Sequence, residues 1–133
     1  MKKILSLDIG QKRVGIAVSE DSIIAGLETL EYDSLNQLIY KISQVCRQEK
    51  IEKIVIGLPK NQDSLQADKI RKFALEIAKK IALPISFIDE TLTSKEAERI
   101  LGSKKLDPRS REYKKEIDKL AAKLILEQYL KEG

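Results

Sequence analysis

An aspartate set inside an apolar strand constrains this chain more than any other feature. The segment from Ile4 to Val18, ILSLDIGQKRVGIAV, reads as a strand, a tight basic turn and a second strand. Asp8 stands near the end of the first strand. Ile4, Ser6 and Asp8 share one face by alternation, and Leu5, Leu7 and Ile9 share the other. A charge beside a hydrophobic core is costly unless something compensates it.

The rest of the chain supplies a frame for that charge. Val14 to Ser19 alternates again, and the short Gly10–Arg13 link predicts an antiparallel hairpin. A third strand is expected over Ile23–Leu30, with Gly26 at a bulge. Asp33 or Ser34 caps a helix whose apolar stripe is Leu35, Leu38, Ile39, Ile42, Val45 and Cys46, ending near Lys50. Ile54–Leu58 is continuously apolar, as a strand covered on both faces would be. A helix over Ser64–Ile81 and a short strand over Ile85–Asp89 follow. Thr93 and Glu96 match a capping box for a helix closed by Gly102. The polar, basic stretch Ser103–Arg111 reads as a loop or lid, and a last helix runs from about Glu112 to Leu130.

This order predicts an α/β fold with a five-stranded mixed sheet. A three-strand antiparallel meander is joined to two parallel strands and flanked by helices. At 133 residues, the chain suits a single domain, 1–133. No apolar run approaches a bilayer's span, and the N-terminus lacks a signal-peptide core, so a cytoplasmic protein with no membrane contact is expected.

Composition narrows the chemistry. The chain has no histidine, which removes Ser-His and Cys-His nucleophilic machinery. Its one cysteine, Cys46, cannot form an internal disulfide or build a zinc site and is expected in the core. The net charge of +4 is compatible with nucleic acid without requiring it.

Ligands bind outside the carboxyl ends of parallel strands. Asp8, the Leu58–Asn61 segment and Asp89-Glu90 leave such ends. Asp118 falls on or beside the buried face of the last helix, whose stripe includes Ile117, Leu120, Ala121, Leu124 and Ile125. Acids gathered in one cleft repel one another, and a divalent cation resolves the conflict. Oxygen ligands without imidazole or thiolate favour Mg²⁺ or Mn²⁺, and such a site suits phosphoryl transfer to water. Each acid also has a plainer reading. Asp8 could cap the turn or pair with Arg13, Asp89-Glu90 could open a loop, and Asp118 could pair with Lys114 on the helix surface. Lys12, Arg13, Lys60, Lys95 and Arg99 ring the same edge, and Lys104, Lys105, Arg109, Arg111, Lys114 and Lys115 follow. They suit a polyanion's backbone, or simply a solvated surface.

The residues singled out resemble a known family. Leu7 to Ser19, LDIGQKRVGIAVS, is similar to the opening motif of the YqgF family, also called RuvX. Gly57-Leu58-Pro59, Asp89 to Ser94 with Glu96-Ala97, and Asp118 to Ala122 with Ile125, Leu126, Tyr129 and Leu130 resemble its later motifs. The resemblance implies an RNase H-like fold and a cytoplasmic nuclease that trims the 5′ end of precursor 16S ribosomal RNA. It makes Asp8, Glu90 and Asp118 the catalytic, metal-binding carboxylates, with Asp89 a neighbouring candidate. Lys12, Arg13, Lys60 and Lys95 are the nucleic-acid contacts expected around them. Branched DNA is the rival substrate, and either a monomer or a homodimer is compatible. Two other functions compete: a non-catalytic nucleic-acid-binding module, and an ATPase of the sugar-kinase or actin type, which also opens on Asp-x-Gly. The chain is short for that ATPase and lacks a second phosphate-binding glycine loop.

Overall fold

In the computed structural model, residues 2–59, 63–89, 91–103 and 107–132 are described, with the side chains of 91–95 and 103 left aside. The elements among the described residues run β1 (Lys3–Ile9), β2 (Arg13–Glu20), β3 (Ile23–Glu31), α1 (Leu35–Glu49), β4 (Lys53–Leu58), α2 (Leu65–Lys80), β5 (Ile85–Asp89), α3 (Thr91–Ser103) and α4 (Arg111–Glu132). The sheet order is β3-β2-β1-β4-β5. β1 pairs antiparallel with β2 and parallel with β4, and β4 pairs parallel with β5. The expected mixed sheet is therefore present, with the carboxyl ends of β1, β4 and β5 at one edge.

Two apolar layers hold it together. Leu5, Leu7 and Ile9 of β1 join Leu38, Ile42, Ile70 and Ile77 of α1 and α2 on one face. On the other, Ile4, Ala17, Val55 and Ile88 pack against Ala122, Ile125 and Leu126 of α4. The hydroxyl of Ser6 donates to the Ala122 carbonyl across that second layer, at 2.7 Å.

Local signals behave as their chemistry requires at α1 and α2. Ser34 accepts from the Gln37 amide, and Ser64 accepts from the Ala67 amide. Lys50 closes α1 in the left-handed region, at φ 56°. The bulge lies where β3 passes Ala25, next to Gly26: Val18 faces Gly26 and Ser19 faces Ile24.

The amino end of α3 differs from expectation. The helix begins at Thr91, so Thr93 lies inside it, and Glu96 pairs forward with Arg99. Gly102 falls within the last turn. Of the loop expected after it, residues 104–106 lie outside the described residues. Residues 107–110 form a turn in which Asp107 accepts from the Arg109 and Ser110 amides. Ser110 then caps α4 by accepting from the Tyr113 amide at 3.0 Å.

Cys46 is buried in the first layer, as expected, and burial pushes its thiol up to about 11. The unfolded thiol ionises first, so this group's stabilisation is intact below its unfolded value and is lost as pH rises toward 11. Cys46 should resist Ellman's reagent at pH 8 in the native protein and react promptly in denaturant. Equal rates in both would show the thiol to be accessible.

Candidate active site

The site is built around a missing side chain. Asp8 pairs with Gly15 across the β1–β2 ladder. A Cβ placed on Gly15 would stand 2.0 Å from the Asp118 carbonyl oxygen and 3.2 Å from its Cα. The backbone of α4 thus occupies the space that a side chain at position 15 would need. Asp8 and Asp118, remote in sequence, both border Gly15. Asp8 also shares the face of Ile4 and Ser6, the face that α4 covers.

Asp118 lies in line with the buried side of its helix. The fully covered residues of α4 are Ala121, Ala122, Ile125 and Leu126, while Ile117, Leu120 and Leu124 are half-buried. The buried stripe is therefore rotated from the one read in the sequence. Small side chains at 121, 122 and 15 let the helix settle on its alanine side, carrying Asp118 toward β2.

The Asp118 carboxylate is not an exposed partner of Lys114. It accepts from Arg13 Nε at 2.9 Å, with its side chain only 20% exposed. Burial raises its pKa, and the Arg13 hydrogen bond and charge oppose that without cancelling it. An acid in this state is under-compensated, and another cation would stabilise it. A cleft of about 350 Å³ opens here, lined by Gly10, Gln11, Lys12, Arg13 and Asp118.

The basic turn is braced by a residue that sequence reasoning passed over. The Tyr32 amide donates to the Lys12 carbonyl at 3.0 Å, and its hydroxyl donates to the Gly10 carbonyl. Its ring meets Phe73 edge-on, with centroids 6.1 Å apart. A buried tyrosine directly after a strand was the available signal. Beyond the turn, a second cleft of similar size shares Lys12 and Arg13 and adds Arg109, Arg111 and Lys114.

Other expected residues fall elsewhere. Asp89 pairs with Leu58, on the face of Ile85, whereas the adjacent Ile88 faces α4. Alternation therefore sets Asp89 on the opposite side of the sheet from Asp8. Glu90, Lys60 and the Lys95 side chain lie outside the described residues. Among the described residues, no three acidic or cysteine side chains gather closely enough to hold a metal. Arg99 is engaged by Glu96 within α3.

Comparison with known proteins bears on what this arrangement is. The sequence profile of RuvX, described as Holliday junction resolvase, matches residues 2–132. The chain belongs to the RuvX family. A RuvX relative in Crocosphaera subtropica is 40% identical over 131 residues, covering 95% of this chain and 90% of its own. Another, in Caldanaerobacter subterraneus subsp. tengcongensis, is 37% identical over 133 residues, covering 96% and 95%. Both carry the name "Putative pre-16S rRNA nuclease". Among solved structures, T. thermophilus RuvC in complex with a Holliday junction substrate superposes with a TM-score of 0.62 at 16% identity. That match covers 100% of this chain and 97% of RuvC. The RuvX chain therefore has the RNase H-like fold of RuvC. No helix among its described residues is long and apolar enough to cross a membrane.

Proposed function

We propose that this chain is a metal-dependent nuclease that hydrolyses phosphodiester bonds in structured nucleic acid, with 5′-end processing of precursor 16S ribosomal RNA as its task in the cytoplasm. What supports the reading is that Asp8, paired with Gly15 in the ladder, and an under-compensated Asp118, whose backbone lies over Gly15, flank the same residue beside basic clefts. The relatives' names supply the RNA.

The donor set fits a hard cation. Asp8 and Asp118 offer only carboxylate oxygens, and the chain has no imidazole. Asp8, Asp118 and Glu90 would hold Mg²⁺ or Mn²⁺; Asp89, on the other face, is left out of this set. When bound, the ion would supply an activated water and charge stabilisation for the leaving oxygen of the phosphodiester. The chain's own residues do the rest. Lys12 and Arg13 would steady the phosphate next to the scissile bond, and Lys60 and Lys95 would extend that contact. Asp8, pinned in the central strand, would fix where the reacting phosphorus must sit.

Four-way DNA is the second reading, favoured by the description that the RuvX family carries. One experiment separates the possibilities. The purified protein is incubated with precursor 16S rRNA and with four-way DNA, in Mn²⁺, in Mg²⁺ and in EDTA. The expected result is RNA cleavage that requires the divalent ion and stops in EDTA. Cleavage of the junction alone would make the chain a resolvase. Binding without cleavage of either substrate would make it a non-catalytic module. Light scattering on the same sample decides between monomer and homodimer.

A further inference from the structure

Arg13 stands in the wall between the two clefts. On one side its Nε binds Asp118 Oδ2 at 2.9 Å, a contact through one guanidinium nitrogen rather than the bidentate fork. On the other side lies a cleft whose described lining sets Lys12, Arg109, Arg111 and Lys114 against Glu31 and Asp33. Arg111 is already engaged by Glu31 at 2.8 Å, which leaves the remaining cations in excess. The Arg13 side chain is 31% exposed, so it has room to turn toward that second cleft.

We propose that Arg13 is a latch on Asp118, holding the carboxylate oxygen that a divalent ion would take and releasing it when a nucleic-acid phosphate in the basic cleft draws the guanidinium away. The inference rests on the metal-dependent reading above. Arginine suits the exchange because its planar fork matches phosphate oxygens in two-point geometry, better than the one-point contact it gives up. Metal and nucleic acid would then load together. Each would raise the other's affinity by one and the same factor, since coupling between two binding events is reciprocal. The device keeps Asp118 partly compensated between turnovers and favours metal loading when a backbone is in place.

The test reads binding, not cleavage. Free Mn²⁺ is followed by electron paramagnetic resonance in the wild type, Arg13→Gln and Lys12→Gln. Each is measured alone and with a short 2′-O-methyl oligoribonucleotide whose own Mn²⁺ uptake is subtracted. Anisotropy of the labelled oligonucleotide, with and without Mn²⁺, measures the reciprocal arm. The wild type should bind Mn²⁺ about tenfold more tightly with the oligonucleotide present, a typical size for such coupling. Arg13→Gln should bind it about that much more tightly on its own and gain less than about twofold from the oligonucleotide. Lys12→Gln removes a charge from the same cleft without touching Asp118 and should keep the coupling.

Several outcomes overturn the latch. No gain in Mn²⁺ affinity for Arg13→Gln is one, and full coupling retained by Arg13→Gln is another; a Lys12→Gln that matches Arg13→Gln reduces the effect to general charge. A wild type that never takes up the oligonucleotide overturns it too. If no form binds Mn²⁺, the metal site itself has failed, an outcome distinct from binding without coupling. Thermal melts establish that each variant is folded. If Arg13→Gln is not, Arg13→Met keeps an unbranched stem without the charge or the Nε donor and should show the same loss of coupling.

Discussion

Gly15→Ala lowers the melting temperature by roughly 10 °C or more, because the methyl group it adds has no space to occupy. The added carbon would stand 2.0 Å from the Asp118 carbonyl oxygen, well inside van der Waals contact. The obstructing atoms are backbone, held in a helix whose Ala122, Ile125 and Leu126 are locked into the second core layer. No side chain can rotate out of the way, so β2 and α4 must separate. Overpacking of this kind costs about 1–3 kcal/mol, and more where the neighbour is rigid. Gly26→Ala is the matched control. It also lies in a strand, yet a Cβ there meets nothing within 4 Å. It should leave the melt within about 2 °C of wild type, since ordinary surface changes stay within ±0.5 kcal/mol. Equal melts for the two variants would mean that α4 does not sit on Gly15. The substitution would also push Asp118 away from Asp8, so cleavage should fall even below the melting transition.

That contact explains what could and could not be read from the sequence. The alternation around Asp8, the apolar run at Ile54–Leu58 and the serine caps at 34 and 64 are local signals. Each one fixed an element that is present. The strand order also followed, because a meander and two crossovers leave few arrangements. Tertiary contacts were less legible. Gly15 reads as a small residue in a strand, and only the position of α4 gives it a purpose. The stripe on α4 was read from its large apolar residues, yet the helix turns its alanines inward because close approach favours small side chains. Arg13 was weighed as a partner for Asp8, its neighbour across the hairpin, and its carboxylate partner proved to be Asp118 on the last helix. Thr93 and Glu96 carried a valid capping pattern two residues inside a helix that begins at Thr91. A spacing rule cannot tell at which residue the helix begins. The parity that separates Asp89 from Asp8 was available in principle, since Ile88 is the apolar neighbour. It needed the β4–β5 register to be known.

Asp118→Asn and Asp8→Asn should each reduce metal-dependent cleavage by about a thousandfold or more while oligonucleotide binding persists. A hard cation loses a charged ligand in either case, and the several kcal/mol of transition-state stabilisation it provides corresponds to that factor. Their effects on stability should differ from those of a damaged core. In the folded chain, burial raises the Asp118 pKa above its ordinary value. The folded state therefore holds that proton more tightly than the unfolded state does. This group's contribution to stability is greatest at low pH and declines as pH rises through the raised value. Asparagine at 118 carries no charge to desolvate, and its amide oxygen can still accept from Arg13. Without metal at pH 7, Asp118→Asn should thus melt at or above the wild-type temperature, and the difference should shrink as the pH is lowered. An inactive variant that is at least as stable as its parent marks a carboxylate kept for chemistry at the expense of the fold. If the variant melted well below wild type, the Arg13 ion pair would outweigh the burial cost. Asp118 would then be a structural partner first, and its part in holding a cation would have to be argued from the cleavage assay alone.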